Sequence, residues 1–129
     1  MQVLSVPCVG QVVLVHGDYC PANLLLDDAR CVTGLLDFGL FTMAGDHLFD
    51  VATACAFFDM YDELGRDLCN RLLTRAAELY GAHSRGRLHR YILVYSIVAA
   101  NTYAADCSDG HYAWCVANLN RDEYWQDLT

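Results

Sequence analysis

Lysine is missing from all 129 residues; the eight cationic side chains are arginines. An amine that could grip the α- and β-phosphates of a nucleotide therefore has no candidate in this chain. Gly10, Gly17, Gly34, Gly39 and Gly45 are too dispersed to form a G-x-G-x-x-G phosphate loop. Basic charge is scarce overall: sixteen acidic residues leave a net charge of −8. That balance argues against nucleic acid or an anionic membrane as partner, since both call for a basic patch. It is compatible with a cationic small molecule. The seven cysteines (8, 20, 31, 55, 69, 107 and 115) form no C-x-x-C pair and are odd in number. Set among apolar neighbours, they read as free thiols in a reducing, cytoplasmic setting, with no structural zinc. The opening MQVLSVPCVG lacks the basic start and long apolar core of a signal peptide. The longest apolar-rich stretch, 91–105, contains Asn101 and Thr102 and is too short to span a membrane.

What is present suits one domain, 1–129, with a real core: apolar residues make up 55% of the chain. QVVLV at 11–15 predicts a short buried strand running into His16. Pro21 keeps the following segment out of regular helix. Leu24–Leu26 and Val32–Leu36 flank DDAR and read as a hairpin. Asp18, Asn23 and Asp37 then fall at one end of a small sheet.

From Asp46 the pattern becomes helical, with Asp46 as N-cap and Asp50 in the first turn. Leu48–Met60 is apolar nearly all round, as a central helix is. Leu64, Leu68, Leu72, Ala76 and Leu79 recur at helical spacing up to Gly81. A third helix is expected over about 87–105, and a fourth from about Asp109 carrying Trp114 and Trp125. Short strands followed by helices make an α+β fold in which helices predominate.

The chemistry sits in VHGDYCPANLLLD at 15–27 and TGLLDFG at 33–39. Asp18 stands five residues before Asn23, and Asn23 fourteen before Asp37. A base, an amide oxygen and a carboxylate on neighbouring loops is the set that metal-assisted phosphoryl transfer requires. Asn and Asp oxygens are the hard donors that Mg²⁺ prefers. A metal-dependent hydrolase built on His16, Asp18 and Asp37 lacks a second histidine at ligand spacing.

H-G-D-x-x-x-x-N followed by D-F-G, and then AGDHLFDVA at 44–52, resembles the aminoglycoside phosphotransferase and choline kinase superfamily, relatives of the protein kinases. The match is close over about 12–60. The resemblance implies the C-terminal lobe of a protein-kinase-like fold, without the N-terminal lobe that carries the lysine and glycine-rich loop. It implies ATP as phosphoryl donor, Asp18 as the catalytic residue acting on a substrate hydroxyl, and Asn23 with Asp37 as Mg²⁺ ligands. His16 and Asp50 would support the loop. The acceptor would be an antibiotic or a metabolite, which makes antibiotic resistance one expected role. Because the lysine and phosphate loop are lacking, a non-catalytic remnant or binding module that keeps the fold is the alternative. An orphaned lobe would also expose apolar surface around Val3–Val9 and the first strand, inviting a partner chain or self-association.

Plainer readings hold elsewhere. Asp59, Asp62, Glu63, Asp106 and Asp109 read as solvated helix ends and loops, although in the antibiotic kinases acidic residues of this region bind substrate amines. Tyr112, Trp114 and Trp125 read as helix packing, and Met43 and Met60 as core.

Overall fold

The structure, a computed structural model, describes residues 12–128; Val3–Val9, where exposed apolar surface was expected, lies outside them. Among the described residues four short strands precede five α-helices: β1 (Val13–Val15), β2 (Leu24–Leu26), β3 (Val32–Leu35), β4 (Met43–Gly45), α1 (Leu48–Phe57), α2 (Gly65–Tyr80), α3 (Arg85–Val98), α4 (Gly110–Leu119) and α5 (Asp122–Gln126). This is an α+β chain dominated by helix.

The strands form two separate antiparallel ribbons instead of one small sheet. β1 pairs with β4, Leu14 opposite Ala44, and β4 is a strand the sequence did not announce. β2 and β3 make the expected hairpin, with a bulge that leaves Thr33 without an opposite residue. The loop 16–23 leaves β1 for β2, and the segment 36–42 leaves β3 for β4. The two ribbons thus hold both loops at their ends.

α3 is the hub of the helical part, packing against α1, α2, α4 and α5. Leu88, Ile92 and Leu93 on α3 meet Leu48, Phe49 and Ala52 of α1 in a closed core. No residue of α1 is exposed, which accounts for its all-round apolar composition. Its start is tied to α3 by Asp46. One carboxylate oxygen accepts the Leu48 N–H at 3.0 Å, while the other accepts Arg87 at 2.9 Å and the Tyr91 hydroxyl at 3.0 Å. Asp46 is therefore a buried anchor as well as a cap, and it acts from one residue ahead of the formal cap position, His47.

The helices differ from the expectation in four places, three of them boundaries. α1 stops at Phe57, because Asp59 turns the chain with φ +52°. α2 buries Gly65, Cys69, Leu73, Ala76 and Ala77, whereas Leu64 and Leu79 face solvent. The stripe is rotated because Gly65 packs directly on the Asp59 carbonyl, where a side chain would collide. α3 ends at Val98, and the helical segment after Asp109 divides at Asn120–Arg121 into α4 and α5. Tyr124 of α5 is fully buried, its hydroxyl 3.6 Å from Cys69 Sγ and its ring under the Arg121 guanidinium.

Met60 packs against the core, but Met43 is exposed on β4, contrary to its reading as core. Trp114 packs beside Phe57 and Tyr95 as expected. Trp125 lies partly open, its indole N–H donating to the Leu119 carbonyl at 2.8 Å. Among the described residues no helix is long and apolar enough to cross a membrane.

Candidate phosphoryl-transfer site

The loop after β1 is held mostly by its own backbone groups, gripped by side chains from elsewhere in the fold and within the loop. The Asp50 carboxylate accepts the N–H of His16 on one oxygen and that of Gly17 on the other. Thr42 donates its hydroxyl to the His16 carbonyl at 2.9 Å. The imidazole of His16 is buried and fully engaged: Nδ1 accepts the Asp18 N–H at 3.2 Å, so Nε2 carries the hydrogen that goes to the Leu36 carbonyl at 2.7 Å. Its ring meets Phe38 edge-on at 4.6 Å. With both nitrogens occupied, His16 orients the two loops relative to each other and has no lone pair left for proton transfer.

Gly17 is confined to its identity. It adopts φ +87°, and a Cβ there would overlap the backbone of Phe41. This close approach brings the segment after Asp37 against the loop that carries Asp18.

Asn23 ends a short 3₁₀ turn, 21–23, opened by Pro21. Its amide nitrogen donates to the Asp18 carbonyl at 2.9 Å and to Asp18 Oδ2 at 3.2 Å. Both amide hydrogens are thus directed at Asp18, which leaves Oδ1 as the free oxygen. The hairpin extends by one more rung past its formal end, the Leu36 N–H donating to the Asn23 carbonyl at 2.9 Å. Asp37 follows immediately, exposed and in a left-handed conformation at φ +61°. An aspartate tolerates that region better than most residues, and such conformations concentrate at functional sites.

Asp18 borders two cavities. One, about 190 Å³, also holds Asp37, Gly39 and Thr102. The other, about 420 Å³, is walled by Phe57, Tyr61, Tyr95 and Tyr103, with Asp59 at its edge. Tyr95 and Tyr103 border both. Partial shielding of its hydroxyl pushes the Tyr103 phenol upward, although the residue as a whole is exposed, and the neighbouring Asp18, Cys20 and Asp37 push it further. Tyr95 is raised in the same way, chiefly by burial. Both phenols therefore stay protonated at neutral pH.

Among the described residues no three His, Cys, Asp or Glu side chains converge as a metal cluster. The donor set suits a different kind of site. Mg²⁺ is commonly bound by one or two protein oxygens plus substrate phosphates and water. Asp37, which lines the smaller cavity, and Asn23, one hairpin rung away, carry oxygens that could supply that number.

Of the further acidic residues, Asp62, Asp106 and Asp109 serve local turns. They accept the N–H of Leu64, Ser108 and Tyr112, respectively. Asp59 is the exception, since it reaches the larger cavity. Tyr61, Tyr95 and Tyr103 carried no signal in the sequence, because no motif links residues so widely spaced.

Residues 5–91 match the family model described as the phosphotransferase enzyme family. The chain belongs to that family. Over 74 residues it is 39% identical to an aminoglycoside 3'-phosphotransferase from Streptomyces fradiae, a match that covers 55% of this chain and 26% of the relative. The chain thus spans about a quarter of the length of this curated relative. No solved structure matches it significantly.

Proposed function

We propose that this chain is the catalytic-loop part, a C-terminal lobe, of an ATP-dependent kinase that transfers the γ-phosphoryl group to a hydroxyl of a small molecule. One observation carries the reading: Asp18 stands between a small cavity that it shares with Asp37 and a larger one able to take an acceptor. Asp18 accepts or orients the acceptor proton, which fixes the attacking oxygen in line with the phosphorus. Asn23 and Asp37 hold Mg²⁺, which when bound neutralises charge on the nucleotide phosphates. Asn23 has a second duty, because its amide holds one Asp18 oxygen and leaves the other for the acceptor. Asp50, His16 and Gly17 keep this geometry rigid, and rigid placement of reactants is where such enzymes gain most of their rate.

A lysine to grip the α- and β-phosphates has to come from outside these 129 residues. Exposed Val12, Leu14, Leu25, Leu26, Val32 and Leu36 on the ribbons offer an apolar surface for the lobe that brings it, or for a second chain. The free thiols suit a reducing cytoplasm.

The absence of lysine favours a second reading, a binding module without turnover. Transfer from radiolabelled ATP, with and without Mg²⁺, separates the two. The chain is assayed alone and fused to a lysine-bearing nucleotide lobe, each with Asp18→Asn as control. Mg²⁺-dependent transfer by the fusion that disappears with Asp18→Asn supports catalysis. Transfer that is absent, or indifferent to Asp18→Asn, supports the binding module.

A further inference from the structure

The larger cavity is aromatic where an aminosugar site would be acidic. Phe57 and Tyr95 form its inner wall; their rings meet edge to face at 4.8 Å. His111 closes one side. Its Nε2 lies 3.5 Å from Cys115 Sγ, and a further hydrogen bond joins the side chain to the Ala99 backbone. It therefore shows the cavity a ring and no free nitrogen, and burial keeps that ring neutral. Tyr103 meets His111 edge-on at 4.8 Å and stands at the rim together with Tyr61. These two residues are 68% and 67% exposed, a large aromatic area left uncovered along the cavity. A flat guest would cover both at once.

Charge in the cavity is sparse by comparison. Asp18 and Asp59 are the carboxylates that reach it. Asp62 and Asp106 are engaged by backbone N–H groups in their own turns; Asp109 gives Oδ1 to the Tyr112 N–H and keeps Oδ2 buried, its charge felt at Tyr61, Tyr103 and His111 although it does not line the cavity. A guest with several ammonium groups would find two carboxylates, one of them already engaged by Asn23. An aromatic face can take a single ammonium, but several such charges outnumber the carboxylates here and would lose their hydration without partners.

We propose that the acceptor is a hydroxyl carried on a flat, largely apolar ring system, bound between Tyr61 and Tyr103 with its oxygen toward Asp18, and is not a polycationic aminosugar. This rests on the phosphotransfer reading for the role of Asp18, but the binding of the ring does not. A volume of about 420 Å³ lies within the usual range for small-ligand cavities, roughly 300–1,000 Å³. It suits one or two fused rings bearing a short alcohol.

Ligand-observed NMR titration of the whole chain with naphthylmethanol and with kanamycin A tests this directly. Naphthylmethanol should bind saturably and the aminoglycoside more weakly. Tyr103→Ala should weaken naphthylmethanol by about tenfold, the scale of one aromatic contact. Tyr103→Phe and Asp59→Asn should each stay within roughly twofold of the native chain, since ring area and not charge is responsible. Tyr103 is exposed, so its replacement leaves the core intact. Tighter binding of kanamycin A that is lost in Asp59→Asn would overturn the proposal. So would failure of naphthylmethanol to bind, or its indifference to Tyr103→Ala. Ring binding without phosphate transfer in the lobe fusion would count against catalysis alone. Asp18-dependent transfer to kanamycin A, but not to naphthylmethanol, would refute this inference and leave catalysis standing.

Discussion

The Asp50 carboxylate, from the first turn of α1, bridges the N–H groups of His16 and Gly17, each at 2.8 Å. A helix and a loop more than thirty residues apart in sequence are joined by charge-assisted bonds, which are stronger than neutral ones. Asp50→Ala leaves two backbone donors without their acceptor and should cost about 2–3 kcal/mol of stability. In the active assembly it should lower kcat by ~10–100-fold with a smaller change in KM, because the loop loses its orientation and the substrate cavity stays intact. Urea denaturation and steady-state kinetics check both effects. An unchanged kcat would show that Asp50 contributes only to folding.

Gly17→Ala places a methyl group on the Phe41 backbone in a left-handed conformation. A loss of at least about 2 kcal/mol is expected, from overlap and strain together. Gly39→Ala is the control, since its Cβ would meet nothing closer than 3.8 Å. Thermal unfolding of the two variants should differ by several degrees.

Removing the Asp46 side chain takes one hydrogen-bond acceptor from the partly buried Arg87 and from the Tyr91 hydroxyl. Breaking a buried pair from one side typically costs ~3–5 kcal/mol, and the access of Arg87 to solvent reduces that to about 2–3. Asp46→Asn keeps the helix cap and part of the network, so it should retain roughly half of the difference. Chemical denaturation of both variants measures the split.

Stability should fall as the solution is acidified below the ordinary histidine range. Burial lowers the pKa of His111 and of His89 from 6.5 in the folded chain, despite the nearby carboxylates. The unfolded chain then binds more protons than the folded one as pH drops through about 6.5, so folding is favoured above that value and loses ground below it. The urea midpoint should decline between about pH 7 and about pH 5.5, and less steeply in His111→Phe. A midpoint that rises on acidification would show that the carboxylates hold these rings charged.

Thiol reactivity should sort by depth. Cys31 is exposed, whereas burial pushes the Cys55 thiol up to about 12 and the Cys115 thiol to about 11. Thiolate is the reactive form. A disulfide reagent at neutral pH should modify Cys31 at once, and Cys55, Cys69 and Cys115 only on unfolding. Peptide mapping of the modified sites reads this out.

The hairpin, α1 and the run of helices were legible because each declares itself locally, by β-branched residues around a polar turn or by a helical apolar period. β4 was not. Met-Ala-Gly has no strand character, and it is extended because β1 pairs with it from thirty residues upstream. The rotated stripe of α2 was hidden for a related reason, since the sequence shows leucines but not the Asp59 carbonyl against which Gly65 must fit. At the site, spacing singled out Asp18, Asn23 and Asp37, and placed His16 and Asp50 beside them. The partners that hold those five were invisible, being mostly backbone groups. The tyrosine walls come from three places in the chain and converge only in three dimensions.

The rung from Leu36 N–H to the Asn23 carbonyl has a consequence for how this chain tolerates change in length. Asn23 and Asp37 are set by their place on the β2–β3 ladder, not by the turn that joins the strands. Residues 27–31 can therefore be lengthened, by natural insertion or by a peptide tag, while the two oxygen donors keep their separation. One extra residue placed between Gly34 and Asp37 is a different matter. It would shift the pairing by one and turn alternate side chains to the opposite face. Two insertions of the same size, a few positions apart, would leave one chain with its donor pair and the other without.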